Sequence, residues 1–215
     1  MKYIANREGV EKLTGNGPVT KGQRELIQKL LHDFPDAVEL FEYEDYRKTP
    51  TLGTASAFIT MALDANLHEI NSESGYLSYI ATRPRVERRG THGLFSSAAA
   101  VDLDAAMSEL EAHDGNVWTI IYSLRREDAA RLGYDNADAW RDLLMMHAQD
   151  LAKAMKILAD HFRWYAAFHN EGHHPHIHMM VWSDNPKQGF RTREGIAAIL
   201  PNLHNHTLRD DANQS

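Results

Sequence analysis

The stretch His169-Asn170-Glu171-Gly172-His173-His174-Pro175-His176-Ile177-His178 leaves the chain few ways to fold around it. It is entered by Arg163-Trp164-Tyr165-Ala166-Ala167-Phe168 and left by Met179-Met180-Val181-Trp182. Both flanks are short, aromatic and apolar, which predicts strands. Gly172 and Pro175 interrupt the pattern between them, which predicts a hairpin loop. Strand side chains alternate faces, so His176 and His178 share one face and Ile177 points to the other. Pairing of the two strands returns His169 to a place opposite His176. Three imidazoles then converge on one point with an open side, the arrangement that cradles a catalytic divalent cation. With 13 histidines in 215 residues, chance clustering is the plain alternative for any single His-x-His pair. The third histidine at hairpin spacing and the apolar flanks tell against it.

The bulk numbers fit an ordinary globular chain of 215 residues, 43% hydrophobic and 25% charged, long enough for one domain or one and a half. We expect one domain over residues 1–200 and a polar, frayed tail over 201–215. The chain has no cysteine, which excludes disulfides and thiolate metal sites. No apolar run reaches the length of a membrane span and no signal peptide is recognisable, so we expect a cytoplasmic protein without a membrane partner. The net charge of -7 argues against non-specific nucleic-acid binding by the whole surface and leaves room for a local basic groove.

Taken in order, the periodicity predicts helices over Gln23–Phe34, Asp36–Tyr46 and Leu52–Ile70, then over Asp102–Ala112. Asn116–Leu124 is the most strand-like run in the chain. Arg125–Gly133 is expected to form a helical turn or two, and Asp138–Leu158 one long amphipathic helix. The histidine hairpin follows, and Thr192–Leu200 reads as a last helix with Thr192 as its cap. Tyr79 to Glu87 echoes Tyr3 to Glu11, two copies being too few for a repeat protein. The order predicts an α+β fold, an antiparallel sheet carrying the His-x-His strand and covered by helices over one face.

His169-x6-His176-x-His178, framed by RWYAAF and MMVW, resembles the third motif of relaxases in the HUH endonuclease superfamily, and most closely that of MobP-type relaxases of mobile elements. YIANREGVEKL resembles the family's first motif, which carries the nucleophilic tyrosine, and NVWTIIYSLRREDAARLGY resembles its central strand and the segment after it. The resemblance runs from Tyr3 to about Ile199. It implies site- and strand-specific nicking of single-stranded DNA at a transfer origin, for mobilisation of a plasmid or integrative element. In that family a tyrosine attacks a phosphodiester, leaving a 5′-phosphotyrosine and a free 3′-hydroxyl, while a metal held by three histidines polarises the phosphate. A phenol with a pKa near 10 needs such help at neutral pH.

Carried over by position, His169, His176 and His178 are the metal ligands, for Mg2+ or Mn2+. Tyr3 matches the nucleophile and Tyr79 is the reserve, its plain alternative being a helix aromatic packed on the core. Glu171 falls where the family has an acid, which implies that it orients an imidazole; a solvated loop carboxylate is the alternative. His173 and His174 read as turn residues. Arg7, Arg83 and Arg85 are the implied phosphate contacts, against the plain reading of Arg83-Arg85-Arg88-Arg89 as a solvated face. Implied partners are single-stranded DNA and accessory relaxosome and coupling proteins. One departure stands out. The family has a core strand before the nucleophile motif, beside the His strand, and here Tyr3 follows only Met1 and Lys2, as in an N-terminally truncated relative. Two other readings stay open: a non-catalytic relative that binds metal or single-stranded DNA, and an unrelated three-histidine hydrolase.

Overall fold

The computed structural model describes residues 15–66, 72–83, 85–172 and 174–189. Tyr3, Arg7, the first-motif stretch, His173, the expected helix at Thr192–Leu200 and the tail over 201–215 lie outside the described residues. The chain divides into two compact units, Met1–Ser72 and Glu73–Ser215.

The first unit is helical: α1 (Lys21–Asp33), a 3-10 turn (Pro35–Glu39), α2 (Phe41–Lys48) and α3 (Leu52–Asn66). Helix α1 starts before the predicted Gln23 because Thr20 and Gln23 form a capping box. The Gln23 N–H donates to Thr20 Oγ1 (3.1 Å) and the Thr20 N–H to Gln23 Oε1 (3.0 Å). Gln23 Nε2 also donates to the Leu52 carbonyl (3.0 Å) and Ser56 Oγ (2.9 Å), tying α1 to α3. The unit's core is Ile27 and Leu30 of α1 against Phe58, Ile59, Ala62 and Leu63 of α3.

The second unit holds α4 (Glu73–Thr82), β1 (Leu94–Phe95), α5 (Leu103–Glu111), β2 (Val117–Ser123), α6 (Arg126–Leu132), α7 (Ala137–Met146), α8 (Ala148–Ala154), β3 (Phe162–His169) and β4 (His176–Ser183). The strands form one antiparallel sheet in the order β1-β3-β4-β2. The hairpin has the expected register, with His169 opposite His176 and Ala167 opposite His178. Strand β4 is paired on both edges, by β3 and β2.

Alternation sorts the sheet into two unlike faces. Ile177, Met179 and Val181 of β4 join Phe162, Trp164, Ala166 and Phe168 of β3 in an apolar layer. Trp140, Leu143 and Leu144 of α7 and Leu151 and Ala152 of α8 cover it. The other face carries His169, His176 and His178, and it too is covered: α4 reaches His169 and His178, and Glu109 of α5 accepts a hydrogen bond from Tyr165 (2.6 Å). Helices therefore lie over both faces rather than the one expected. The long helix predicted over Asp138–Leu158 is two helices that break at His147, whose backbone leaves helical geometry (φ -99°, ψ 9°). Its apolar period runs through the break because both pieces face the same core, and a periodicity argument cannot register one altered residue.

Ile177 is 0% exposed on the apolar face. Ile177→Ala is expected to cost about 2–5 kcal/mol and Ile177→Val about 0.5–1.5 kcal/mol, as measured by chemical denaturation.

Candidate metal centre

The site lies at the loop end of the β3–β4 hairpin. His169, His176 and His178 are each 0% exposed, and one ring nitrogen from each lies within 4.8 Å of the others. Ring centroids are 4.7 Å apart for His169 and His178, 5.1 Å for His176 and His178, and 5.2 Å for His169 and His176.

Each imidazole spends its other nitrogen on a protein oxygen. His169 Nε2 donates to the Ile80 carbonyl (2.9 Å) and His176 Nδ1 to the His174 carbonyl (2.9 Å). His178 Nδ1 is 2.9 Å from the Tyr76 hydroxyl. A carbonyl can only accept, so it fixes the N–H on the nitrogen it faces and leaves a lone pair on the other. His176 Nε2 is buried with no hydrogen-bond partner. Such an orphaned acceptor facing two further imidazole nitrogens is what a metal ligand looks like before the ion is added. Burial, with the Arg83 guanidinium adding to it, lowers the His176 pKa to about 3, so the ring is neutral and its lone pair available at neutral pH. The donor set fits a divalent cation.

Helix α4 does much of this positioning through Tyr76 and Ile80, four residues apart on one face, with Arg83 just past its last residue. The Ile80 carbonyl sits in the last turn, where carbonyls lack a helical partner, and His169 supplies one. The negative end of the helix dipole is thereby turned toward a place suited to cations. Beyond the helix, Val86 bridges to His169, the Glu87 N–H donates to the Phe168 carbonyl (2.9 Å) and the Asn170 N–H to the Arg85 carbonyl (3.0 Å). The Tyr79–Glu87 stretch, noticed in the sequence only as an echo of Tyr3–Glu11, thus pins the end of β3.

The turn after β3 is held by arginines. Glu171 pairs with Arg83 (3.4 Å) and with Arg85. Its hydrogen bonds go to these guanidinium groups, and the imidazoles take carbonyls and a phenol instead of the acid expected to orient them. Arg83 is buried and its guanidinium lies 5.6 Å from the ring of Tyr79, a cation–π contact. Arg85 is exposed, with φ 68°, and faces solvent beside the site. Arg126 of α6, which the sequence reading passed over, donates to Asn170 Oδ1 (2.6 Å), to the Gly172 carbonyl (3.3 Å) and to the Glu171 carbonyl. Ser123, also passed over, lies opposite His176 across β2–β4 with a buried hydroxyl that has no hydrogen-bond partner. The signal for Ser123 was present: strand alternation through NVWTIIYS fixes its face once the β2–β4 register is known. Tyr76 and Arg126 carried no such signal, because the contacts that place them span 102 and 44–46 residues.

With this geometry in hand, comparison with family models gives a match to the MobL relaxases over residues 1–208. The chain belongs to the MobL relaxase family. No curated protein and no solved structure matches it. Membership carries with it a relaxase activity, DNA nicking in mobilisation, and single-stranded DNA binding. Among the described residues no helix is long and apolar enough to cross a membrane.

His176→Ala is expected to abolish divalent-ion binding in isothermal titration calorimetry, with the far-UV circular dichroism unchanged. Arg126→Ala is expected to leave the ligands in place but loosen the 170–172 turn, read as faster amide exchange there.

Proposed function

We propose that this relaxase makes a site- and strand-specific nick in single-stranded DNA at a transfer origin, using a tyrosine nucleophile and a divalent metal on His169, His176 and His178. The carrying observation is the cluster of three buried imidazoles, each anchored through one nitrogen, in a chain of the MobL family. A divalent cation bound there would polarise the scissile phosphate and neutralise developing charge. Of Mg2+ and Mn2+, nitrogen donors suit Mn2+ better, since Mg2+ is hard and prefers oxygen.

The chain's own residues account for the rest. The Tyr3 hydroxyl attacks phosphorus, the bond to the 3′ oxygen breaks, and the products are a 5′-phosphotyrosine and a free 3′-hydroxyl. The phenol's value is that it is also a leaving group, so the strand can be rejoined. Arg85 is exposed and Arg83 is buried, both paired with Glu171 of the hairpin turn, so in this reading Arg85 meets a backbone phosphate while Arg83 adds to the positive field and holds Glu171. Arg7 is assigned a further phosphate. Glu171, balanced by two guanidinium groups, acts by fixing the turn that leads from His169 to His176. The motif spacing supports a place among MobP-type relaxases, and on this reading the protein works in the cytoplasm with relaxosome and coupling proteins.

The test is incubation with a labelled origin oligonucleotide and Mn2+, followed by denaturing electrophoresis and mass spectrometry of the adduct. A covalent adduct on Tyr3 is expected, lost in Tyr3→Phe and retained in Tyr79→Phe. Cleavage without an adduct would indicate a hydrolase, and binding without cleavage a non-catalytic relative. Binding is expected to prefer single strand over duplex and to weaken with salt.

A further inference from the structure

Tyr76 is 0% exposed, and its hydroxyl lies 2.9 Å from His178 Nδ1, with the rings edge-on at 73°. The other two imidazoles face carbonyls, which cannot donate, so their tautomers are set by the backbone. A hydroxyl can donate or accept. Among the described contacts, His178 is therefore the member of the cluster whose second nitrogen meets a side-chain hydroxyl instead of a carbonyl. Its Nε2 can serve a cation only if Nδ1 carries the proton and Tyr76 accepts it.

We propose that Tyr76 is the positioning residue of the third ligand: its oxygen accepts the His178 Nδ1–H, holds the lone pair on Nε2 and fixes the ring plane. The inference deepens the metal reading above and rests on it. The placement also separates Tyr76 from the chemistry. Its hydroxyl meets the imidazole at the nitrogen across the ring from the one offered to the ion, inside the protein, so it is not the attacking phenol. Nothing in the local sequence sets it apart from Tyr79, three residues on; only the face of α4 does, since Tyr76 lies four residues before Ile80, the other residue of that helix whose oxygen holds a ligand.

The experiment compares the wild-type protein with Tyr76→Phe, which keeps the ring and removes the oxygen, and with Tyr79→Phe as a control. Co2+ affinity is measured by calorimetry and its visible spectrum. The His178 tautomer of the metal-free protein is read from nitrogen-15 shifts of the imidazoles. We expect protonated Nδ1 in the wild type, a move of the proton toward Nε2 in Tyr76→Phe, and a roughly ten- to hundredfold loss of Co2+ affinity with an altered spectrum. Tyr79→Phe is expected to match the wild type in all three. Protonated Nε2 in the metal-free wild type, or a Tyr76→Phe protein with unchanged tautomer and affinity, overturns the proposal, as does a DNA adduct found on Tyr76. If Tyr76→Phe fails to fold, the wild-type tautomer still decides. Absence of Co2+ binding by the wild type would instead defeat the metal reading, and the tautomer measurement would then decide on Tyr76 by itself.

Discussion

Everything at this site depends on the pairing of His169 with His176 across β3 and β4. A slip of one residue would send His176 and His178 into the apolar layer and bring Ile177 to the imidazole face, because side chains alternate strictly along a strand. Ile177, Met179 and Val181 prevent the slip: packed under α7 and α8, they make the opposite face too apolar to exchange. The hydrophobic core and the histidine cluster are thus two sides of one register. The pairing of β4 with β2 extends it, bringing Ser123 level with His176 and Ile121 level with His178.

The register aligns the imidazoles but does not set their protons. That is done from α4 and from the turn, by the Ile80 carbonyl, the His174 carbonyl and the Tyr76 hydroxyl. The acceptors are neutral, whereas a carboxylate partner would raise the basicity of an imidazole and help it protonate. A neutral acceptor fixes the tautomer without that cost, and burial keeps His176 neutral. The acid in the turn, Glu171, is instead matched with Arg83 and Arg85.

The hairpin was readable because its signal is local. Alternation through RWYAAFH and HIHMMVW, with Gly172 and Pro175 between, gives the strands, the register and the shared face without reference to the rest of the chain. The run NVWTIIYSL was readable for the same reason, and its strand is β2. Strand β1 was missed: two residues, Leu94 and Phe95, are too few to show a period. The break at His147 was missed because the core it serves lies on both sides of it. What surrounds the ligands was hidden for a different reason. Tyr76, Ile80, Arg83 and Arg126 reach the site from helices far away in sequence, and Ile80 contributes a backbone atom that no side-chain motif can reveal.

The balance of charge around the cluster bears on what it can bind. The whole chain carries a net charge of -7, which works against a polyanion. At the site the balance is reversed. Arg83, Arg85 and Arg126 converge on a turn whose one carboxylate, Glu171, is shared by two of them, and the three imidazoles add no negative charge. A divalent ion on neutral nitrogens would keep its full charge, where a carboxylate-rich site would cancel much of it. The C-terminal dipole of α4 stabilises that concentration of positive charge from within the protein. A phosphodiester reaching the exposed Arg85 would meet a local positive field on an otherwise acidic molecule. Such a layout favours one phosphate at one place over a long track of them.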